Sequence, residues 1–241
     1  MLTDSIGDIS RHFCNLLLGF FLPKACVGCG EGGSHFCPSC LAATTTPSTF
    51  FCPGCLKSSF QGLPCATCAS INPVARLLVA GAYQQPSLRR AIEAFKYQGV
   101  CDLAAPLGEL LVRYLLHLKH AGMFWTDFSC VIPVPLHRRR LLSRGYNQAE
   151  LLAFELHKHF GWPVETGKIS RDRATVPQVG LPAVRRFRNM RTAFRVHGTL
   201  RGADVLLLDD VVTTGATFSE CAAVLRDAGT RSVTALALAH G

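Results

Sequence analysis

Charge is scarce in this sequence. Only 17% of its 241 residues are Asp, Glu, Lys or Arg while 49% are hydrophobic, a balance that excludes an intrinsically disordered chain. Acids are the scarcer sign, 16 against 25 Lys and Arg, so the formal net charge is +9. Long apolar runs are missing as well. The most apolar stretch, Phe13 to Leu22, follows Asp4 and Asp8, is too short to span a bilayer, and has no small-residue cleavage site after it. Neither a transmembrane segment nor a secretory leader is expected, and that stretch reads as a packing or partner-facing helix. What remains is long enough for one sizeable α/β domain with a small appendage.

The basic residues are not spread evenly. Leu136 to Arg195 holds 13 of them against 4 acids, a surplus equal to the whole net charge, and 11 of the 13 are arginine. Guanidinium forks at such density suit paired phosphate oxygens.

Cysteine, by contrast, is abundant. Eight of the twelve fall in four C-x-x-C pairs, Cys26/Cys29, Cys37/Cys40, Cys52/Cys55 and Cys65/Cys68. One such turn points two thiolates at one ion, and two turns close a tetrahedral Zn²⁺ site, so the eight cysteines suffice for two structural zincs. A redox reading calls for one pair on a βαβ unit, not four in tandem. Sequential pairing, first with second and third with fourth, is expected over a cross-brace. His35 reads as a bystander. Cys14, Cys101, Cys130 and Cys221 sit in apolar surroundings and read as core residues. A closed tetrathiolate leaves no position for water, so no zinc catalysis is expected, and reduced thiolates imply a cytoplasmic setting. With few large hydrophobes between the pairs, metal is expected to supply most of this module's stability.

The strongest chemical signal is Val205 to Thr217, V-L-L-L-D-D-V-V-T-T-G-A-T. A short apolar run reads as a doubly buried parallel strand stopping at Asp209 and Asp210. The turn Thr213-Thr214-Gly215-Ala216-Thr217 follows, then a helix of about residues 218–228 closed by Gly229. Loop N–H groups and the positive end of a helix cradle a phosphate, Gly215 lets backbone approach it, and the two carboxylates can accept from vicinal ribose hydroxyls. The spacing G-x-x-x-x-G-K-[ST] is lacking, which disfavours a nucleoside triphosphate loop.

Upstream, residues 77–83 read as a strand, 86–97 as an amphipathic helix with Leu88, Ile92 and Phe95 inward, and 102–120 as a long helix. Lys96 is either a solvated helix-end lysine or a phosphate contact. Residues 128–134 read as a second buried strand whose loop carries Arg138, Arg139, Arg140 and Arg144, with Asn147 capping the next helix. Tyr146, Phe187 and Phe194 are interleaved with the arginines and could stack bases along a phosphate backbone. Arg185, Arg186 and Arg188 read as a solvated helix face. Residues 233–239 form the last strand, and His240 and Gly241 lie either near a ribose or in a frayed end.

The stretch 205–217 resembles the 5-phosphoribosyl-1-diphosphate (PRPP) signature of type I phosphoribosyltransferases. Together P-V-P-L-H-R-R-R…R-G-Y-N-Q-A-E-L-L-A, R-D-R-A-T…Q, R…N-M…A-F, L-L-D-D-V-V-T-T-G-A-T, F-K-Y-Q-G and the cysteine module resemble the ComF family of competence-associated phosphoribosyltransferase-like proteins, from about residue 21 to the end.

The resemblance implies an α/β fold with an open, mainly parallel sheet flanked by helices over 71–241. It implies a double zinc-ribbon module over 25–70 and leaves an apolar segment over 1–24. It assigns Asp209 and Asp210 to ribose hydroxyls and Thr213 to Thr217 to the 5-phosphate. Arg171, Arg173 and Gln178 would meet phosphate from a loop closing over PRPP, with Mg²⁺ held largely by diphosphate and ribose oxygens. Two functions stay open. One is handling of single-stranded DNA in uptake or utilisation, with competence or DNA-processing proteins as partners, on the cytoplasmic side or at the membrane through them. The other is transfer of ribose 5-phosphate from PRPP to an unidentified base or amine.

Overall fold

The computed structural model describes residues 24–171 and 194–241. The main sheet has four parallel strands. In chain order they are β1 (Arg76–Ala82), β2 (Cys130–Pro133), β5 (Asp204–Val212) and β6 (Ser232–His240), arranged β1-β6-β5-β2. A small antiparallel ribbon pairs β3 (Ile169–Arg171) with β4 (Phe194–Val196).

Strand alternation sorts the core into two layers. Leu78, Ala80, Val131, Leu206, Leu208, Leu236 and Leu238 face three helices, α3 (Pro86–Tyr97), α4 (Ala104–His120) and α6 (Gln148–Phe160). The intervening residues Leu77, Val79, Ile132, Val205, Leu207, Val233 and Ala235 face α7 (Ala216–Asp227) and the ribbon. Burial on both faces explains the near-continuous apolar strands. At the amino edge of the sheet Arg231 forms a two-pronged ion pair with Asp204.

Among the described residues the anticipated elements are present with three differences, while the helices expected at Phe13 to Leu22 and at Arg185 to Arg188 lie outside those residues. The long helix begins at Ala104, after a 3₁₀ turn over Cys101–Leu103. Arg138–Arg144, read as loop, is a short helix α5 that starts at a His137 cap and stops at Gly145, φ 82°. Strand β5 does not stop at the acids. It runs on to Val212 because β6 is nine residues long and offers backbone partners to Asp209, Val211 and Val212, and the ladder ignores side-chain charge.

The cysteine turns are not a free appendage. Cys26, Phe36, Cys37 and the Leu41 of α1 (Pro38–Ala42) are buried in the layer that holds α3 and α4. The second pair of turns, which includes α2 (Ala66–Ala69), lies on the α7 side, where Phe51 and Leu56 pack. Cys130 and Cys221 are buried as expected. Cys101 is exposed, because its 3₁₀ turn lies on the surface. His240 is no frayed end: it pairs with Val212 in the sheet and its ring lies 4.4 Å from that of Phe51.

Candidate functional site

In a parallel sheet the carboxyl ends of neighbouring strands share one edge, and ligands sit outside it. The exits of β2 and β5 therefore open together onto a cleft of about 730 Å³. One wall comes from β5 and the start of α7 (Asp209, Asp210, Thr217). Opposite stand Arg139, Arg140 and Arg144 of α5, with Lys96 at the end of α3 and Arg171 at the end of β3. Five cations thus surround two acids, a balance that suits a polyanion.

Alternation along β5 sends the two carboxylates to opposite sides. Asp210 reaches the Lys96 Nζ at 2.8 Å, and both side chains are nearly buried. Asp209 accepts the Asp210 backbone N–H at 2.8 Å. Burial raises the Asp209 carboxyl to about 7; the adjacent Asp210 acts in the same direction, while Lys96 and Arg171 oppose it. Lys96 is therefore a cleft residue held by an acid, not a solvated helix-end lysine.

The end of α3 is locked to the arginine segment. The Phe95 carbonyl accepts from the Tyr146 hydroxyl at 2.5 Å and from the Gln148 amide at 3.2 Å. Arg144 donates to Gln148 Oε1 at 2.9 Å, and its guanidinium lies 5.1 Å from the Tyr97 ring centroid. Asn147 caps α6 as expected, accepting from the Ala149 N–H. Desolvation and this hydroxyl bond explain why Tyr146 is not an exposed stacking face. Phe194 is buried beneath Arg171, 5.1 Å away, so it is not one either.

In the hydroxyl turn, Thr214 Oγ1 accepts the Ala216 N–H at 3.4 Å, and Gly215 occupies the helix-cap position with φ 72°. A Cβ on Gly215 would lie 2.8 Å from the Pro53 carbonyl oxygen. The close approach that this glycine permits is to the second cysteine turn. Asn72 Nδ2 to Ser219 Oγ at 3.4 Å ties the same module to α7.

The eight cysteines form two tetrads in sequential order, Cys26, Cys29, Cys37, Cys40 and Cys52, Cys55, Cys65, Cys68, each with its sulfurs within 4.8 Å of one another. Cys29 and Cys37 sulfurs are 3.6 Å apart, Cys55 and Cys65 sulfurs 3.9 Å. Tetrahedral zinc with bonds of about 2.3 Å places its sulfurs about 3.8 Å apart, so the donor sets fit. Backbone N–H groups aim at the sulfurs, from Gly28 and Cys37 to Cys26 and from Cys65 to Cys52. Burial disfavours the thiolate, yet these donors outweigh it and bring Cys26 down to about 6 and Cys52 to about 7. His35 stands outside both tetrads, 4.0 Å from Asp102.

Of the candidate residues, Asp209, Asp210, Thr217, Arg139, Arg140, Arg144 and Arg171 meet at the cleft. Thr213 and Thr214 are exposed on the adjoining turn, and Gly215 is buried. Arg138 is not among the lining residues. Arg173, Gln178, Arg185, Arg186, Phe187, Arg188 and Cys14 lie outside the described residues. Tyr97, Gln98 and Ser143 also line the cleft and went unread. F-K-Y-Q-G carried the only signal for the first two, and Ser143 had none.

An open parallel sheet with a basic, acid-floored cleft at its carboxyl edge and two tetrathiolate turns defines the class of protein. No protein-family model matches the chain. It is 36% identical over 200 residues to the DNA utilization protein YhgH of Shigella flexneri, spanning 82% of this chain and 86% of that one. It is 31% identical to Competence protein F of Haemophilus influenzae, spanning 73% and 78%. The chain belongs to the family of these proteins, the ComF family. A ribose-phosphate pyrophosphokinase of Wolinella succinogenes is 33% identical over 146 residues, 57% of this chain and 43% of that one. Among solved structures, the purine phosphoribosyltransferase of Pyrococcus horikoshii is similar with TM-score 0.32 and 17% identity, over 68% and 77% of the chains. Among the described residues no helix is long and apolar enough to cross a membrane.

Proposed function

We propose that this chain binds PRPP in the strand-tip cleft and serves DNA uptake or utilisation, handling single-stranded DNA on the cytoplasmic side. The observation that carries the reading is the shared cleft, with Asp209, Asp210 and Thr217 facing Arg139, Arg140, Arg144, Arg171 and Lys96. Loop N–H groups of residues 213–217 and the positive end of α7 take the 5-phosphate. Asp209 and Asp210 accept from the ribose hydroxyls, and the arginines pair with the diphosphate. Arg173 and Gln178 are further phosphate contacts in this reading. Lys96 exchanges Asp210 for a phosphate oxygen, which frees the acid for the sugar.

With Asp209 and Asp210 both given to the ribose hydroxyls, the protein offers few oxygen ligands, which suits an Mg²⁺ held mainly by the diphosphate; it would supply charge neutralisation there. Zinc in the two tetrads is the structural metal, and about two equivalents per chain are expected by elemental analysis. The names of the relatives, DNA utilization protein and Competence protein F, support the DNA side of the reading. Arg138 to Arg140 of α5 are the proposed contacts to the DNA phosphates, Arg139 and Arg140 being shared with the diphosphate, and competence or DNA-processing proteins are the proposed partners.

Calorimetry with PRPP and Mg²⁺ tests the site. Asp209→Ala combined with Asp210→Ala should abolish binding, and unchanged affinity removes the reading. DNA affinity should fall steeply with salt and drop when Arg138 to Arg140 become alanine.

A further inference from the structure

We infer that Tyr97 is a base-stacking platform at the mouth of the cleft, so that single-stranded DNA is held there by a nucleobase as well as by its phosphates. The inference deepens the DNA half of the reading above and depends on it. Tyr97 lines the cleft with 71% of its surface exposed. A lone exposed tyrosine is ordinary on a protein surface. This one stands at the last position of a helix whose end is tethered, beside a cation that is tethered too.

Phe95, two residues earlier in the same turn, is fully buried, and its carbonyl is clamped by Tyr146 and Gln148. Arg144, whose guanidinium lies against the ring, is itself fixed by Gln148. The helix end that carries the ring and the cation beside it are thus held in place beforehand, which limits the entropy lost when a flat ligand stacks. A guanidinium on one side of a π system strengthens stacking of a base, and its charge faces the phosphates that flank the base.

Position agrees with this use. Lys96, one residue before, reaches the acid floor at Asp210, so the platform stands about 3.8 Å along the backbone from a sugar-phosphate contact. Gln98 and Ser143 line the same mouth and offer donors and acceptors to a base edge. Of the aromatics interleaved with the arginines, the two among the described residues are already committed, Tyr146 to the Phe95 carbonyl and Phe194 to the core. Every base has a π face, so such a platform grips single strands with little preference for sequence.

The test compares a short oligothymidylate with an abasic oligonucleotide of the same length and charge, by fluorescence anisotropy at fixed salt. Wild-type protein should bind the oligothymidylate about tenfold more tightly. Tyr97→Ala should erase that difference, and Tyr97→Phe should keep it, since the ring and not the hydroxyl does the stacking. A Tyr97→Trp variant should show indole quenching by the oligothymidylate and none by the abasic strand. Equal binding of both oligonucleotides by wild type, or an equal loss on both in Tyr97→Ala, overturns the inference, as does failure of either strand to bind. PRPP calorimetry on the same wild-type sample reports on the sugar-phosphate reading separately, so the two can fail independently.

Discussion

The two tetrads use the same ligand type at similar spacing, C-x-x-C followed after seven residues by C-x-x-C in the first and after nine in the second. They lean on opposite faces of the sheet. The first shares its buried residues Cys26, Phe36, Cys37 and Leu41 with the layer under α3 and α4, and Arg90 of α3 donates to its Val27 and Gly28 carbonyls at 2.8 and 2.6 Å. The second presses the Pro53 carbonyl onto Gly215, sets Phe51 at a tilt against His240 and joins Asn72 to Ser219. One tetrad therefore belongs to the stability of the whole domain. The other buttresses the turn that carries the candidate phosphate contacts. Equivalent motifs acquire different duties from what they pack against.

The largest effect that separates them should follow removal of one ligand from each. Cys37→Ser should lose one zinc equivalent and destabilise the chain by about 3 kcal/mol, a fall of about 10 °C in Tm by calorimetry, because its tetrad is built into the core. Cys65→Ser should also lose one equivalent, but with the smaller Tm change and with faster amide hydrogen exchange in residues 213–221. If both variants loosen that turn equally, the division of labour is wrong.

Next in size is Gly215→Ala. The new Cβ meets backbone at 2.8 Å, and alanine disfavours φ 72°, so a loss of about 2 kcal/mol in urea denaturation and a weakening of PRPP binding are expected together. An unstrained, fully stable Gly215→Ala protein would mean that the second module does not bear on the turn.

Asp209 tests the site side of the comparison through pH. Its carboxyl is held up to about 7, whereas in the unfolded chain it loses its proton near pH 4. The native state binds the extra proton between those values, so its contribution to stability declines as pH rises from 4 to 7. Asp209→Asn should therefore be more stable than wild type at pH 8, by a margin that shrinks as pH falls through 7 and vanishes below pH 4. A pH-independent difference would place that carboxyl in water. The smallest effects belong to the edges of the two modules. Arg90→Ala should cost about 1 kcal/mol through the two carbonyls it serves and leave PRPP affinity alone, while Asn72→Ala should cost about as much and loosen α7.

Much of this was legible beforehand. Period and caps placed α3 at residues 86–97 and α6 after Asn147, because a buried face and an Asn cap are local signals. The four C-x-x-C pairs announced two tetrads, since spacing alone brings thiolates together. The hidden parts involve partners distant in sequence. Strand β5 outran its apolar residues because β6 supplied the ladder, and Tyr146 changed from an open ring to a clamp because Phe95 lay within reach.

The sequence by itself determined the strand-turn-helix around Asp209 to Thr217, the zinc-ready cysteine pairs and the arginine surplus, all of which depend on residues close along the chain. Only the tertiary structure decided that Lys96 faces Asp210, that Tyr97 stands exposed beside Arg144, and that Pro53 seats on Gly215. Those contacts join segments dozens of residues apart, and their geometry follows from how helices and turns pack across a sheet, which no local pattern encodes.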